Sequence, residues 1–188
     1  MNILKPVTRG DLRMSAELIY QADHNFYDLF SNSSNESIEN ILKMYEDENT
    51  TFSQVRSIYI DDQLVGAILY YPASEIRMRQ MFSLPYLAQG KSFDNNVFRE
   101  FSEGVPIIDS QGLYLSHMVI DERYRGKGLC KKSMNILSNL AIADEQEEIV
   151  LHVRSVNLAA LQCYKSSGFV NENNNNENVY VVLKKKLI

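Results

Sequence analysis

The chain has 188 residues, with 24 acidic and 19 basic side chains, a net charge of −5 and an apolar fraction of 45%. Those proportions fit one soluble globular domain with a core of its own and exclude a disordered chain. No apolar run approaches the roughly 20 residues that span a bilayer, and the acidic balance disfavours nucleic acid while inclining toward a cationic partner.

Residues 3–7 read as a first strand, and Thr8 or Asp11 caps a helix whose apolar face carries Leu12, Met14, Leu18 and Ile19. Ser34 precedes a second helix through Ile38, Ile41, Leu42 and Tyr45, with only part of a capping signal. Residues 55–60 and 64–71 are extended runs joined by Asp61, Asp62 and Gln63, the pattern of a hairpin, and Gly66 marks a bulge. Residues 73–111 are the least regular stretch. A short helix fits 74–82, after which Pro85, Gly90 and Gly104 break the pattern. A connection of that length tends to carry function or flexibility.

An apolar, strand-forming run follows at 112–120, then a glycine-containing loop, then a helix to about Ala143 with Leu129, Ser133, Ile136, Leu137, Leu140 and Ala141 on one side. Residues 149–153 are a short buried strand of the kind found in parallel pairs, and 157–165 a helix terminated by Gly168. Two strands, 169–170 and 179–183, flank an asparagine-rich run that reads as an exposed hairpin loop, and Lys184, Lys185 and Lys186 read as a solvated strand end. The sum is an α/β fold: a central mixed sheet with helices on both faces, in a single domain over 1–188. Cys130 and Cys163 lack CxxC or Cys/His spacing, so two packing thiols are expected, not a disulfide or a zinc site. The first five residues lack the apolar core of a signal peptide, and a cytoplasmic location is expected.

The chemistry concentrates at Arg123, Tyr124, Arg125, Gly126, Lys127 and Gly128, where a strand ends and a helix begins. The first amides of a helix have no partner inside it, and the dipole is positive at that end. Glycines let a phosphate approach the backbone, and Arg123, Arg125 and Lys127 surround it with positive charge. The loop is neither a dinucleotide fingerprint nor a Walker motif, yet it reads as a phosphate cradle.

Arg123, Gly126 and Gly128 match a phosphate motif of the form Arg/Gln-x-x-Gly-x-Gly/Ala, and an overlapping register from Arg125 through Cys130 departs from it only at Cys130. Downstream, Asn157, Ala160, Tyr164, Gly168 and Phe169 match a second signature, Asn-x-x-Ala followed by Tyr and Gly-Phe. On these residues the chain resembles the GNAT superfamily of acetyl-coenzyme A dependent N-acetyltransferases, specifically over 112–169 and by element order elsewhere. The resemblance implies acetyl-CoA as cosubstrate and no metal. It puts the pyrophosphate on the amides of residues 125–130, and the pantetheine arm on the edge of Met118, Val119 and Ile120, where neighbouring strands splay. Asn157 and Ala160 fall where the family meets the arm. It also implies direct attack by a primary amine in a ternary complex, an N–H from 118–120 for the oxyanion, and Tyr164 as general acid to the CoA thiolate.

The general base stays open. His117 has a suitable intrinsic pKa, while Glu17, Asp23, Asp109, Asp121, Glu122 and a water chain are the alternatives. Ser116 stands where many members of the superfamily carry an acid. Tyr27, Tyr71, Tyr86 and Phe93 are candidate walls of the acceptor pocket. The expected acceptor is a small-molecule or protein amine, such as a polyamine, an aminoglycoside, a lysine or an N-terminus, with no nucleic acid and no membrane partner. A homodimer is left open. The rival reading is a non-catalytic acyl-CoA-binding or regulatory domain of the same fold, against which Tyr164 argues.

Overall fold

A computed structural model describes residues 4–89, 107–171 and 179–187 of the chain. Seven strands form one sheet in the order β1-β2-β3-β4-β5-β7-β6. They are β1 (Leu4–Pro6), β2 (Val55–Ile60), β3 (Gln63–Pro72), β4 (Leu113–Ile120), β5 (Glu148–Arg154), β6 (Val170–Asn171) and β7 (Tyr180–Lys186). All neighbours are antiparallel except β4 and β5. Asp61 and Asp62 both take positive φ, the geometry of a tight primed turn, and so Ile60 pairs directly with Gln63. Gly66 sits beside a register shift between β2 and β3, as expected. A Cβ there would also lie 2.5 Å from the Val119 carbonyl oxygen, so close approach of β4 is a second reason for glycine.

The helices are α1 (Leu12–Ala22), α2 (His24–Tyr27), α3 (Ser34–Lys43), α4 (Ile76–Leu87), α5 (Leu129–Ala143) and α6 (Leu158–Ser166). Asp11 occupies the N-cap of α1 without a side-chain capping bond. The second helix is capped one residue earlier than the sequence suggests. The Ser33 hydroxyl accepts from the Glu36 amide, and the Glu36 carboxylate accepts from the Asn32 amide, closing a box at Ser33. The short helix expected at 74–82 is longer and continues past Pro85 to Leu87. The lysine end of β7 is not simply solvated. Lys184 lies 3.9 Å from Glu148, and Lys185 donates to Ser138 Oγ at 2.9 Å.

Alternation along the strands sends side chains to two cores. Ile19, Ile41 and Phe52 pack with Leu69 and Val119 on one face. Met134 and Leu137 of α5 pack with Leu115, Leu151 and Phe169 on the other. The asparagine-rich run at 172–178, expected as an exposed hairpin loop, lies outside the described residues, as do Gly90, Phe93 and Gly104.

Candidate active site

β4 and β5 pair only from Leu113 with Ile149 to Leu115 with Leu151. Beyond that point β5 follows β7 to Arg154, while β4 follows β3 to Ile120. A register shift between Leu69 and Tyr70 leaves Ser116 as the extra residue of a bulge in β4, where the two strands part. The splay expected beside Met118–Ile120 is thus present, and the β4 edge there has no strand partner on the β5 side.

A cavity of about 910 Å³ runs through this gap. Tyr27, Tyr71 and Tyr114 line it from the α1 face, and Met118, Ala160 and Tyr164 from the α6 side. Asn157, at the N-cap of α6, also lines it, and its Oδ1 accepts from the Ala160 amide at 3.1 Å. Capping leaves the amide nitrogen of the Asn157 side chain to face a ligand. Tyr86 is not a wall: its hydroxyl donates to Asp47 at 3.0 Å and it packs on the α1-side core.

The loop after β4 has the backbone expected of a phosphate cradle. Gly126 and Gly128 take φ of 76° and 72°, and a Cβ at either would meet nothing within 4 Å. Gly128 caps α5, and Lys132 is bonded to the Gly128 carbonyl, so the amides just before it point out of the helix end. The cations are less free than their number suggests. Arg123 is bound to Asp121 at 2.6 Å, which holds the Asp121 carboxyl down at about 2, and Arg125 donates to the Ile120 carbonyl at 2.9 Å. Lys127 lies over the Tyr124 ring at 4.8 Å. Arg123 and Arg125 brace the loop, then, while backbone amides and Lys127 face outward. Leu129 and Ile120 pack together in a small core beneath it, and Val119 packs on the α1 side.

Cys130 and Cys163 form a disulfide with their Cα atoms 6.3 Å apart, contrary to the two separate thiols expected from sequence. Their pairing follows from the packing of α5 against α6, which brings together residues separated by 33 positions. The bond ties the first turn of the cradle helix to the helix that carries Asn157 and Tyr164.

Tyr164 is buried beside Phe169, with ring centroids 5.6 Å apart, and burial pushes its phenol up to about 12. His117 accepts or donates at 2.9 Å with Ser116 Oγ and stacks at 6.2 Å on Tyr27. Burial lowers it to about 4, so its ring is neutral at ordinary pH. Sequence reasoning missed Tyr114, His152, Arg154 and Tyr180 in the cavity wall. Tyr114 contacts His152 Nδ1 at 3.2 Å and the Tyr71 ring at 5.4 Å. Nothing local marks these residues; the sheet gathers them from three strands. Of the open carboxylates, Asp23 and Asp109 reach the cavity, whereas Asp121 is committed to Arg123. The described residues contain no group of His, Cys, Asp and Glu side chains that could hold a metal. Among them no helix is long and apolar enough to cross a membrane.

The parallel strand pair thus splays beside a glycine-bent helix start. The Acetyltransferase (GNAT) family profile matches residues 17–169, and the chain belongs to that family. Solved structures share the fold at low identity. An N-acetyltransferase from Staphylococcus aureus Mu50 is 16% identical, over 97% of this chain and 99% of that one, at a TM-score of 0.66. The PaiA N-acetyltransferase from Thermoplasma acidophilum, in complex with coenzyme A, is 14% identical over 99% of each chain at 0.57. AAC(6')-Ib in complex with ribostamycin and coenzyme A is 16% identical, over 98% and 92%, at 0.61. No curated protein sequence matches the chain.

Proposed function

We propose that the chain is an N-acetyltransferase that moves the acetyl group of acetyl-CoA to a primary amine, with Tyr164 as proton donor at the sulfur. The observation that carries this reading is the cavity through the β4–β5 gap. It has Tyr164 and Asn157 on one side and a polar, tyrosine-rich chamber on the other. A CoA-binding module without turnover has no use for that second chamber.

The residues fit the cosubstrate. The open space over Gly126 and Gly128 admits a diphosphate to the amides that start α5, with Lys127 beside it. The unpaired β4 edge offers strand-like hydrogen bonds to the amides of a pantetheine arm, as in β-augmentation, and an N–H for a carbonyl oxygen that gains charge. When bound, acetyl-CoA supplies the activated acetyl thioester. Tyr164 keeps its proton throughout the neutral range and can present it to a thiolate. His117, a neutral imidazole in the wall of the same cavity, can accept the amine's proton and release it to water.

The test is thiol release from acetyl-CoA with a panel of primary amines, run on the wild type and Tyr164→Phe. We expect turnover by the wild type and a loss of roughly 10²–10⁴-fold in kcat for the variant, with CoA binding little changed. Tight CoA binding without turnover on any amine would favour the non-catalytic reading.

A further inference from the structure

We infer that the acceptor amine also carries an anionic group, which Arg154 binds while Asp23 holds the ammonium. The inference rests on the transferase reading and concerns the chamber opposite Tyr164. Asp23 stands at the junction of α1 and α2 on one face of the sheet, and Arg154 is the last residue of β5, just past the point where β5 leaves β4. Both line the same cavity as Tyr164.

The two charges sense one another, for Arg154 opposes the upward push of burial on the Asp23 carboxyl. Yet no salt bridge joins them among the described residues, and the buried Nε of Arg154 has no hydrogen-bond partner there. A buried guanidinium N–H without an acceptor is costly in a folded protein and is normally satisfied. Tyr180, paired with Arg154 across β5 and β7, is pushed up by burial first and then by Asp23, and drawn down by Arg154, so it sits within range of both. Tyr27 and Tyr114 also feel the Asp23 charge and line the same chamber, giving an ammonium polar and aromatic surroundings.

Charge balance points the same way. Asp23 and Arg154 offset each other, and at the rim the exposed Arg77 and Asp109 do likewise. A bare cation would bring uncompensated charge into a partly desolvated chamber already holding Arg154. An amine with a carboxylate or phosphate leaves the balance unchanged and meets both charges with opposite ones. This narrows the acceptor away from the polyamines that the acidic net charge alone suggests.

The test measures thiol release from acetyl-CoA by the full chain with matched acceptors. Glycine, phenylalanine and lysine are each set against their carboxamides, with O-phosphoethanolamine as the phosphate arm and spermidine as an anion-free amine. We expect kcat/KM for at least one carboxylate-bearing amine to exceed its carboxamide, or for O-phosphoethanolamine to exceed spermidine, by about 10- to 100-fold, the range of a charge-assisted hydrogen bond. Arg154→Gln should collapse that ratio toward unity, chiefly through KM, and Arg154→Lys should restore part of it. If Arg154→Gln fails to fold, the wild-type ratios decide alone. Turnover of carboxamides or spermidine at or above the rate of the anionic amines overturns the inference but leaves the transferase standing. Absence of turnover on every acceptor overturns both.

Discussion

Gly128→Ala separates a ligand cradle from a mere turn. Gly128 takes φ 72° and ψ 12°, a left-handed conformation that costs an alanine roughly 1–2 kcal/mol. An added Cβ meets nothing within 4 Å, so backbone strain is the whole cost to folding, a fall of roughly 2–4 °C per kcal/mol in a chain of this size. If the open space over the glycine is where a diphosphate approaches, the methyl occupies it. The Kd for CoA should then rise by about 10-fold or more, about 1.4 kcal/mol on top of the folding cost. Calorimetric titration with CoA and a melting curve give the two numbers, with Gly10→Ala as the control because Gly10 has no positive φ and an open neighbourhood. A lowered melting temperature with CoA affinity unchanged would refute the cradle and leave Gly128 a turn residue.

Three further outcomes follow from the geometry. His117 is held at about 4 when folded against 6.5 in its ordinary state, so between those values the unfolded chain binds more protons. Its contribution is complete above about pH 6.5, and up to about 3 kcal/mol is lost as pH falls to 4. Denaturant midpoints across that window should flatten in His117→Asn, and an unchanged slope would count against a buried neutral ring. Asn157→Ala removes the cap on the Ala160 amide, costing about 1 kcal/mol, and should also weaken CoA binding in the same titration. Stability alone changing would make Asn157 a cap and nothing more. Reducing the Cys130–Cys163 bond, which closes a span of 33 residues, should lower stability by about 2–4 kcal/mol. Equal melting with and without reductant, together with two titratable thiols beforehand, would show that the bridge is not formed in solution.

The strand–turn–helix unit at the proposed cradle was legible because its signal is local: a strand, two glycines and a helix start lie within one short stretch, and the second signature follows one helix and one strand later. The hairpin at Asp61 and Asp62 and the terminator Gly168, with φ 92°, were legible for the same reason. The irregular region was not, since α4 mixes apolar and charged residues without a clean stripe and carries Pro85 inside its span. Arg123 and Arg125 look like phosphate ligands in sequence, but the Asp121 carboxylate two residues back and the Ile120 carbonyl five residues back claim them. The cavity wall proposed to hold the acceptor is the least legible part, because Asp23, Tyr114, Arg154 and Tyr180 meet only through strand order and the divergence of β4 from β5. The disulfide hid for the same reason, its partners being joined by helix packing and not by spacing.

The most direct measurement of the central claim is a crystal structure of the chain with coenzyme A. The expected result has the diphosphate on the backbone amides around Gly126 and Gly128, the pantetheine arm along Met118–Ile120, and the sulfur within hydrogen-bonding reach of the Tyr164 hydroxyl. A diphosphate bound elsewhere, or a Tyr164 hydroxyl turned away from the sulfur, would contradict it.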